Sequence, residues 1–91
     1  MHSETNDIDL VIGNVLRQTR LSAGYTLQAL AERSGVTYQQ IQKYETGANR
    51  LSVSRLVLLT NALGMTPAEF LLKVQGSGRE DLSRGPALSE A

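Results

Sequence analysis

Tyr38, Gln39, Gln42 and Lys43 lie within six residues of one another in the segment TYQQIQKYETG. A glutamine amide offers one acceptor and two donors, a lysine ammonium offers three donors, and a tyrosine hydroxyl does both. Gln can make paired hydrogen bonds to adenine in the major groove of duplex DNA, and Lys can donate to guanine. That chemistry needs the side chains on the outer side of a single helix. Successive helical residues turn by about 100°. With Ile41 at the centre of the buried side, Thr37, Tyr44 and Glu45 share that side, within about 60°. Gln39 and Lys43 then stand almost opposite. Gln42 lies on one flank, Gln40 lies on the other and is assigned to the helix cap, and Tyr38 projects from the first turn. Glutamines and a lysine also solvate ordinary surface helices, so the surrounding elements must decide between reading and solvation.

Those elements are marked by punctuation. Gly24, Gly35, Gly47, Gly64 and Gly76 each follow a helically periodic stretch, where a left-handed cap residue is expected. Start signals precede the stretches: Thr26, Thr37 with Gln40, Ser52, and Thr66-Pro67-Ala68-Glu69, the last combining a capping box with proline at the first helical position. The predicted helices run over Ile8 to Ala23, Leu27 to Ser34, Tyr38 to Thr46, Val53 to Leu63 and Pro67 to Val74. Their expected buried residues are Ile8, Ile12, Val15, Leu16 and Thr19; Leu27, Leu30 and Ala31; then Leu56, Leu59 and Leu63. No stretch alternates as a strand would. The prediction is an all-α, compact five-helix bundle, because connections this short force neighbouring helices together. It covers residues 8–74, with flexible tails at 1–7 and 75–91, the latter rich in Gly, Ser and charge.

One pair is expected to lock this arrangement. Glu45 falls on the inner side of its helix, where a carboxylate needs a partner. Arg20 stands four residues after Leu16 and therefore also points inward. The expectation is a structural Arg20–Glu45 ion pair tying the first helix to the end of the third.

Composition limits the alternatives. The 91 residues suit one domain. There is no Cys, so disulfides and thiolate metal sites are excluded. No apolar run is long enough to span a bilayer, and the polar start MHSETNDID is unlike a secretory signal, so a cytoplasmic location is expected. His2 is the only histidine, no phosphate-cradling loop follows a strand, and the acids form no ligand set. Neither an enzyme nor a metal or other cofactor is expected. Nine basic residues balance nine acidic ones, which argues against a wholly electrostatic nucleic-acid binder. Between Ile8 and Lys73, however, seven bases (Arg17, Arg20, Arg33, Lys43, Arg50, Arg55, Lys73) meet four acids (Asp9, Glu32, Glu45, Glu69), so 7 − 4 = +3. That balance suits local phosphate contact.

The stretch IGNVLRQTRLSAGYTLQALAERSGVTYQQIQKYETG resembles the phage-repressor and Cro-like helix-turn-helix family of transcriptional regulators. The matching positions are Arg20, Gly24, Leu30-Ala31, Gly35, Ile41 and Glu45-Thr46-Gly47, and the likeness extends over about Ile8 to Leu72. It implies a lambda-repressor-like five-helix domain that sets its third helix in the major groove of double-stranded DNA. It also implies operator binding as a homodimer, most simply as a repressor. The resemblance makes Thr26, Thr46, Asn49 and Arg50 phosphate-contact candidates, joined by Arg17, Thr37 and Gln28. Such contacts position the protein while base contacts specify. Leu27 departs from the pattern: many members carry there a Gln that touches phosphate, and Gln28 is the substitute. Met65, Phe70, Leu71 and Val74 either form the dimer surface or close the core. The rival expectation is an antitoxin or protein-interaction module on the same fold, holding a protein partner through the fifth helix and the C-terminal tail. No small-molecule effector is expected.

Overall fold

The structure, a computed structural model, describes residues 6–77. Five helices follow one another: α1 (Asn6–Ser22), α2 (Leu27–Ser34), α3 (Tyr38–Glu45), α4 (Val53–Leu63) and α5 (Pro67–Ser77). The four short interhelical connections begin or end on the expected signals. Thr26 Oγ1 accepts from the Ala29 amide at 3.0 Å, Thr37 Oγ1 from Gln40 at 3.2 Å and Ser52 Oγ from Arg55 at 3.2 Å. Each satisfies an amide that the first helical turn leaves without a partner, a contribution of about 1 kcal/mol. At α5 the box is reciprocal: the Glu69 amide donates to Thr66 Oγ1 at 3.0 Å, and the Thr66 amide donates to Glu69 Oε1 at 2.8 Å.

Gly35 ends α2 at φ 80° and its amide donates to the Ala31 carbonyl. This left-handed residue turns the chain sharply enough for α3 to start at Tyr38, a conformation that costs other residues roughly 1–2 kcal/mol. The same sign of φ occurs at Gly24, Gly47 and Gly64. Gly76 behaves differently from its predicted role as a cap. It lies within α5, which continues past Val74 to Ser77, because glycine permits a left-handed cap without compelling one. At the other end α1 begins at Asn6 rather than Ile8 and stops at Ser22 rather than Ala23. Most of the two predicted tails, His2 included, lies outside the described residues.

The core draws on every helix. Leu16, Leu30, Ile41, Leu59 and Phe70 are fully buried, with Val36 from the α2–α3 turn among them. Phe70 and Val74 close the core from α5, whereas Leu71 beside them is exposed. Of the predicted inner faces, Ile12, Leu27, Ala31 and Leu63 are only partly buried, and Ile8 is exposed. Ile8 sits in the first turn of α1. Thr60 is a buried polar residue whose hydroxyl donates back to the Leu56 carbonyl at 2.8 Å, so it is satisfied within its own helix.

Candidate nucleic-acid interface

α2 and α3 form a pair joined through Gly35, Val36 and Thr37. Val36 is 1% exposed, so this turn is anchored in the core. On α3, Ile41 and Tyr44 are buried, while Tyr38, Gln39, Gln42 and Lys43 are exposed. Gln28, Thr37, Tyr38 and Gln39 line one groove between the two helices, with Glu32 on its wall. Gln40 has a different task from the expected cap. Only its backbone amide serves Thr37. Its side-chain oxygen accepts from the Tyr44 hydroxyl at 2.8 Å, because that hydroxyl reaches one turn back along α3 and needs a partner.

The C-terminal end of α3 is held by α1. Arg20 Nε donates to Glu45 Oε2 at 2.7 Å and Arg20 Nη2 to Glu45 Oε1 at 3.0 Å. The remaining edge, Arg20 Nη1, donates to the Tyr25 carbonyl at 2.9 Å. Its hydrogen bonds to the Glu45 carboxylate raise the guanidinium pKa above its ordinary value against the opposing effect of burial, so Arg20 stays a cation.

The predicted phosphate contacts are spread over α1, the start of α2, the cap of α3 and the loop after it. Arg17, Thr26, Gln28, Thr37, Thr46, Asn49 and Arg50 are all exposed. Thr26 and Thr37 accept cap hydrogen bonds and so keep their hydroxyl protons for a phosphate oxygen. The Thr46 hydroxyl instead donates to the Lys43 carbonyl at 3.2 Å, which commits its proton within the protein. Asn49 ties its amide to that same carbonyl at 3.2 Å, leaving its side chain outward. Arg50 Nε meets Asp9 Oδ2 at 3.2 Å, with the arginine side chain 75% exposed, so its other nitrogens face solvent.

Three contacts escaped sequence reasoning. Arg33 stacks its guanidinium 4.9 Å from the centre of the Tyr25 ring and donates from Nε to the Ala62 carbonyl at 3.0 Å. It thereby satisfies one of the carbonyls that the end of α4 leaves free. The Asp9–Arg50 pair spans 41 residues and joins α1 to the loop after α3, where no helical periodicity signals it.

Residues 16–70 match the helix-turn-helix family. The chain belongs to that family, of the Cro/C1 type. Among curated relatives, a helix-turn-helix-type transcriptional regulator of Sinorhizobium medicae is 37% identical over 86 residues, covering 94% of this chain and 60% of the relative. Another from Rickettsia conorii is 52% identical over 56 residues, covering 62% of this chain and 45% of the relative. The chain thus spans less than two thirds of these relatives' lengths. Among solved structures, the clp gene regulator ClgR from Corynebacterium glutamicum superposes with a TM-score of 0.73 at 33% identity, covering 85% of this chain and 87% of that one. The restriction-modification controller protein C.AhdI from Aeromonas hydrophila gives 0.66 at 27% identity, over 68% and 94% of the respective chains. The helix-turn-helix of this family is α2, the Gly35 turn and α3. Among the described residues, no helix is long and apolar enough to cross a membrane.

Proposed function

We propose that this protein is a sequence-specific transcriptional regulator of double-stranded DNA, a repressor that binds its operator as a homodimer with α3 in the major groove. The observation that carries the reading is the division of α3: Ile41 at 0% and Tyr44 at 6% exposure hold it to the core, and its opposite side offers Gln39, Gln42 and Lys43. A B-form major groove about 12 Å wide admits one such helix. Tyr38, Gln39, Gln42 and Lys43 take the base edges, while Arg17, Thr26, Gln28, Thr37, Asn49 and Arg50 take phosphates; Thr46 joins them only by turning its hydroxyl away from the Lys43 carbonyl. The helix-turn-helix membership and the regulators among its relatives support the same reading. So does the family's usual chemistry, which is binding rather than catalysis. Residues 8–74 form the DNA-binding domain. Its site is in the cytoplasm, where bacterial duplex DNA is found.

Self-association is supported by Leu71 and Leu72 of α5, 51% and 66% exposed. In a twofold dimer the two reading helices lie about 34 Å apart, one turn of DNA. The test is selection of duplexes from a randomised pool by the full chain, followed by footprinting of the winning sequence and of the DNA upstream of its own gene, at a fixed salt concentration. The expected outcome is an inverted repeat with half-sites about 10 base pairs apart, bound far more weakly by Gln39→Ala/Lys43→Ala. Enrichment of no sequence, or an enriched sequence indifferent to those substitutions, would overturn the reading. Co-purification of a single protein partner in place of DNA would favour the antitoxin alternative.

A further inference from the structure

Gly13 stands inside α1, where glycine weakens a helix relative to alanine, and it is buried. A Cβ placed on it would overlap the Tyr44 carbonyl oxygen, and would lie 2.6 Å from the Glu45 carbonyl oxygen and 2.9 Å from the Glu45 carbonyl carbon. All three are backbone atoms, so no side-chain rotation relieves the overlap. Either α1 or the end of α3 has to move.

Two other contacts bear on the same stretch of chain. Leu10, one turn earlier on α1, packs on Gly47: a Cβ there would lie 2.8 Å from Leu10 Cδ2. Arg20, two turns later, grips Glu45. Thus α1 braces α3 at its last turn and just beyond, from Tyr44 to Gly47, while the Gly35 turn fixes the other end. Between these two supports lies the whole surface from Tyr38 to Lys43.

We infer that Gly13 is a positioning residue for base reading: its missing side chain sets how closely α1 seats against the last turn of α3, and so fixes the tilt of the reading surface. The inference rests on the DNA-reading function proposed above. An ordinary carbon–oxygen contact needs about 3.3 Å, so an added methyl displaces the Tyr44–Glu45 backbone by roughly 1 Å. Binding constellations lose their fit beyond about 0.5 Å. Contacts to base edges are directional and suffer from such a shift, whereas lysine and arginine side chains follow phosphates over that distance.

The experiment measures, by fluorescence anisotropy at about 150 mM salt, the Kd for the duplex selected by the wild-type chain and for a scrambled duplex of the same composition. The readout is the discrimination ratio, the Kd for the scrambled duplex divided by the Kd for the selected one. Partial unfolding raises both apparent constants by the same factor and cancels, so a merely destabilising substitution leaves the ratio alone. Gly13→Ala is expected to lower the ratio about tenfold, the worth of roughly one good base contact. Gly76→Ala, whose methyl meets nothing within 4 Å, is expected to leave it unchanged. If Gly13→Ala does not fold, Leu10→Ala tests the same seating of α1: it trims a half-exposed side chain that packs on Gly47, just past the last turn of α3, and should reduce the ratio severalfold. A wild-type ratio in the folded variant overturns the inference alone. A wild-type chain that does not discriminate the two duplexes sinks the proposed function and the inference with it.

Discussion

Arg20 and Glu45, 25 residues apart in sequence, meet in a two-pronged ion pair between α1 and the last residue of α3, with Nε to Oε2 at 2.7 Å and Nη2 to Oε1 at 3.0 Å. Their side chains are 8% and 5% exposed. Removing one partner strands a buried charge, which typically costs about 3–5 kcal/mol. Glu45→Ala should therefore lower the melting temperature by more than about 10 °C in a domain of this size. Exchanging both residues for apolar ones, Arg20→Met with Glu45→Leu, should recover most of the loss, because a well-packed apolar pair often equals a buried ion pair. Thermal and urea unfolding followed by circular dichroism checks both. A loss under about 1 kcal/mol in Glu45→Ala would mark the pair as effectively solvated.

Base reading makes the opposite demand on α3. Gln39 and Lys43 are exposed, so truncating either should leave unfolding within about 0.5 kcal/mol of the parent. Each should still reduce affinity for the selected duplex by a factor of about 5 to 150, the span of 1–3 kcal/mol per specific contact. Binding to a scrambled duplex should change little with Gln39→Ala. Stability and affinity measured on the same preparations separate a reading residue from a folding one. Equal losses on both duplexes with Gln39→Ala would place that side chain on the backbone rather than on a base.

The sequence carried the helices and the reading surface because both rest on local rules. Cap residues such as Thr37 and Ser52 act on amides three residues away, and the division of α3 follows from periodicity once Ile41 is set inside. The Arg20–Glu45 pair was legible for the same reason, since each residue faced inward on its own helix. What stayed hidden depends on how helices cross. Gly13 gave a local hint, a glycine within a helical stretch, but its reason is the approach of the Tyr44 and Glu45 carbonyls from α3. Arg33 ends on Ala62, 29 residues away, and Gln40 turned to Tyr44 instead of the cap. For Gly13 and Arg33 the partner is set by tertiary packing, whereas Gln40 and Tyr44 meet within α3 once the Tyr44 ring is buried.

Arg50 offers a separate test of the phosphate contacts. Its Nε is engaged by Asp9 at 3.2 Å while most of the side chain is in solvent. Arg50→Ala should weaken binding to the selected and scrambled duplexes alike. It should also make the slope of log affinity against log salt shallower by about 0.9, one phosphate's share. Asp9→Asn removes the negative charge that competes with phosphate for Arg50, leaving only a neutral amide acceptor. It should strengthen binding to both duplexes severalfold without altering their ratio. Anisotropy titrations over a range of salt read the slope directly. An unchanged slope in Arg50→Ala would remove that residue from the phosphate contacts.

On α5 the split between core and surface separates folding from association. Phe70 is fully buried and Val74 nearly so, whereas Leu71 and Leu72 are 51% and 66% exposed. Phe70→Ala should destabilise the fold by about 3–5 kcal/mol, the usual result of emptying an aromatic site in a core. Leu71→Glu with Leu72→Glu should leave monomer unfolding nearly untouched, since neither side chain fills the core. If these leucines meet a second copy, as the proposed dimer requires, the two carboxylates carry charge into an apolar contact and oppose one another across a twofold axis. Sedimentation equilibrium should then find a monomer where the parent is a dimer. Affinity for the full inverted repeat should fall toward that for a single half-site, because the second reading helix is no longer delivered with the first. A parent dimer that survives both substitutions would move the association surface elsewhere on the molecule. A parent that is monomeric even when bound to the full repeat would remove the dimer from the proposal while leaving the reading helix in it.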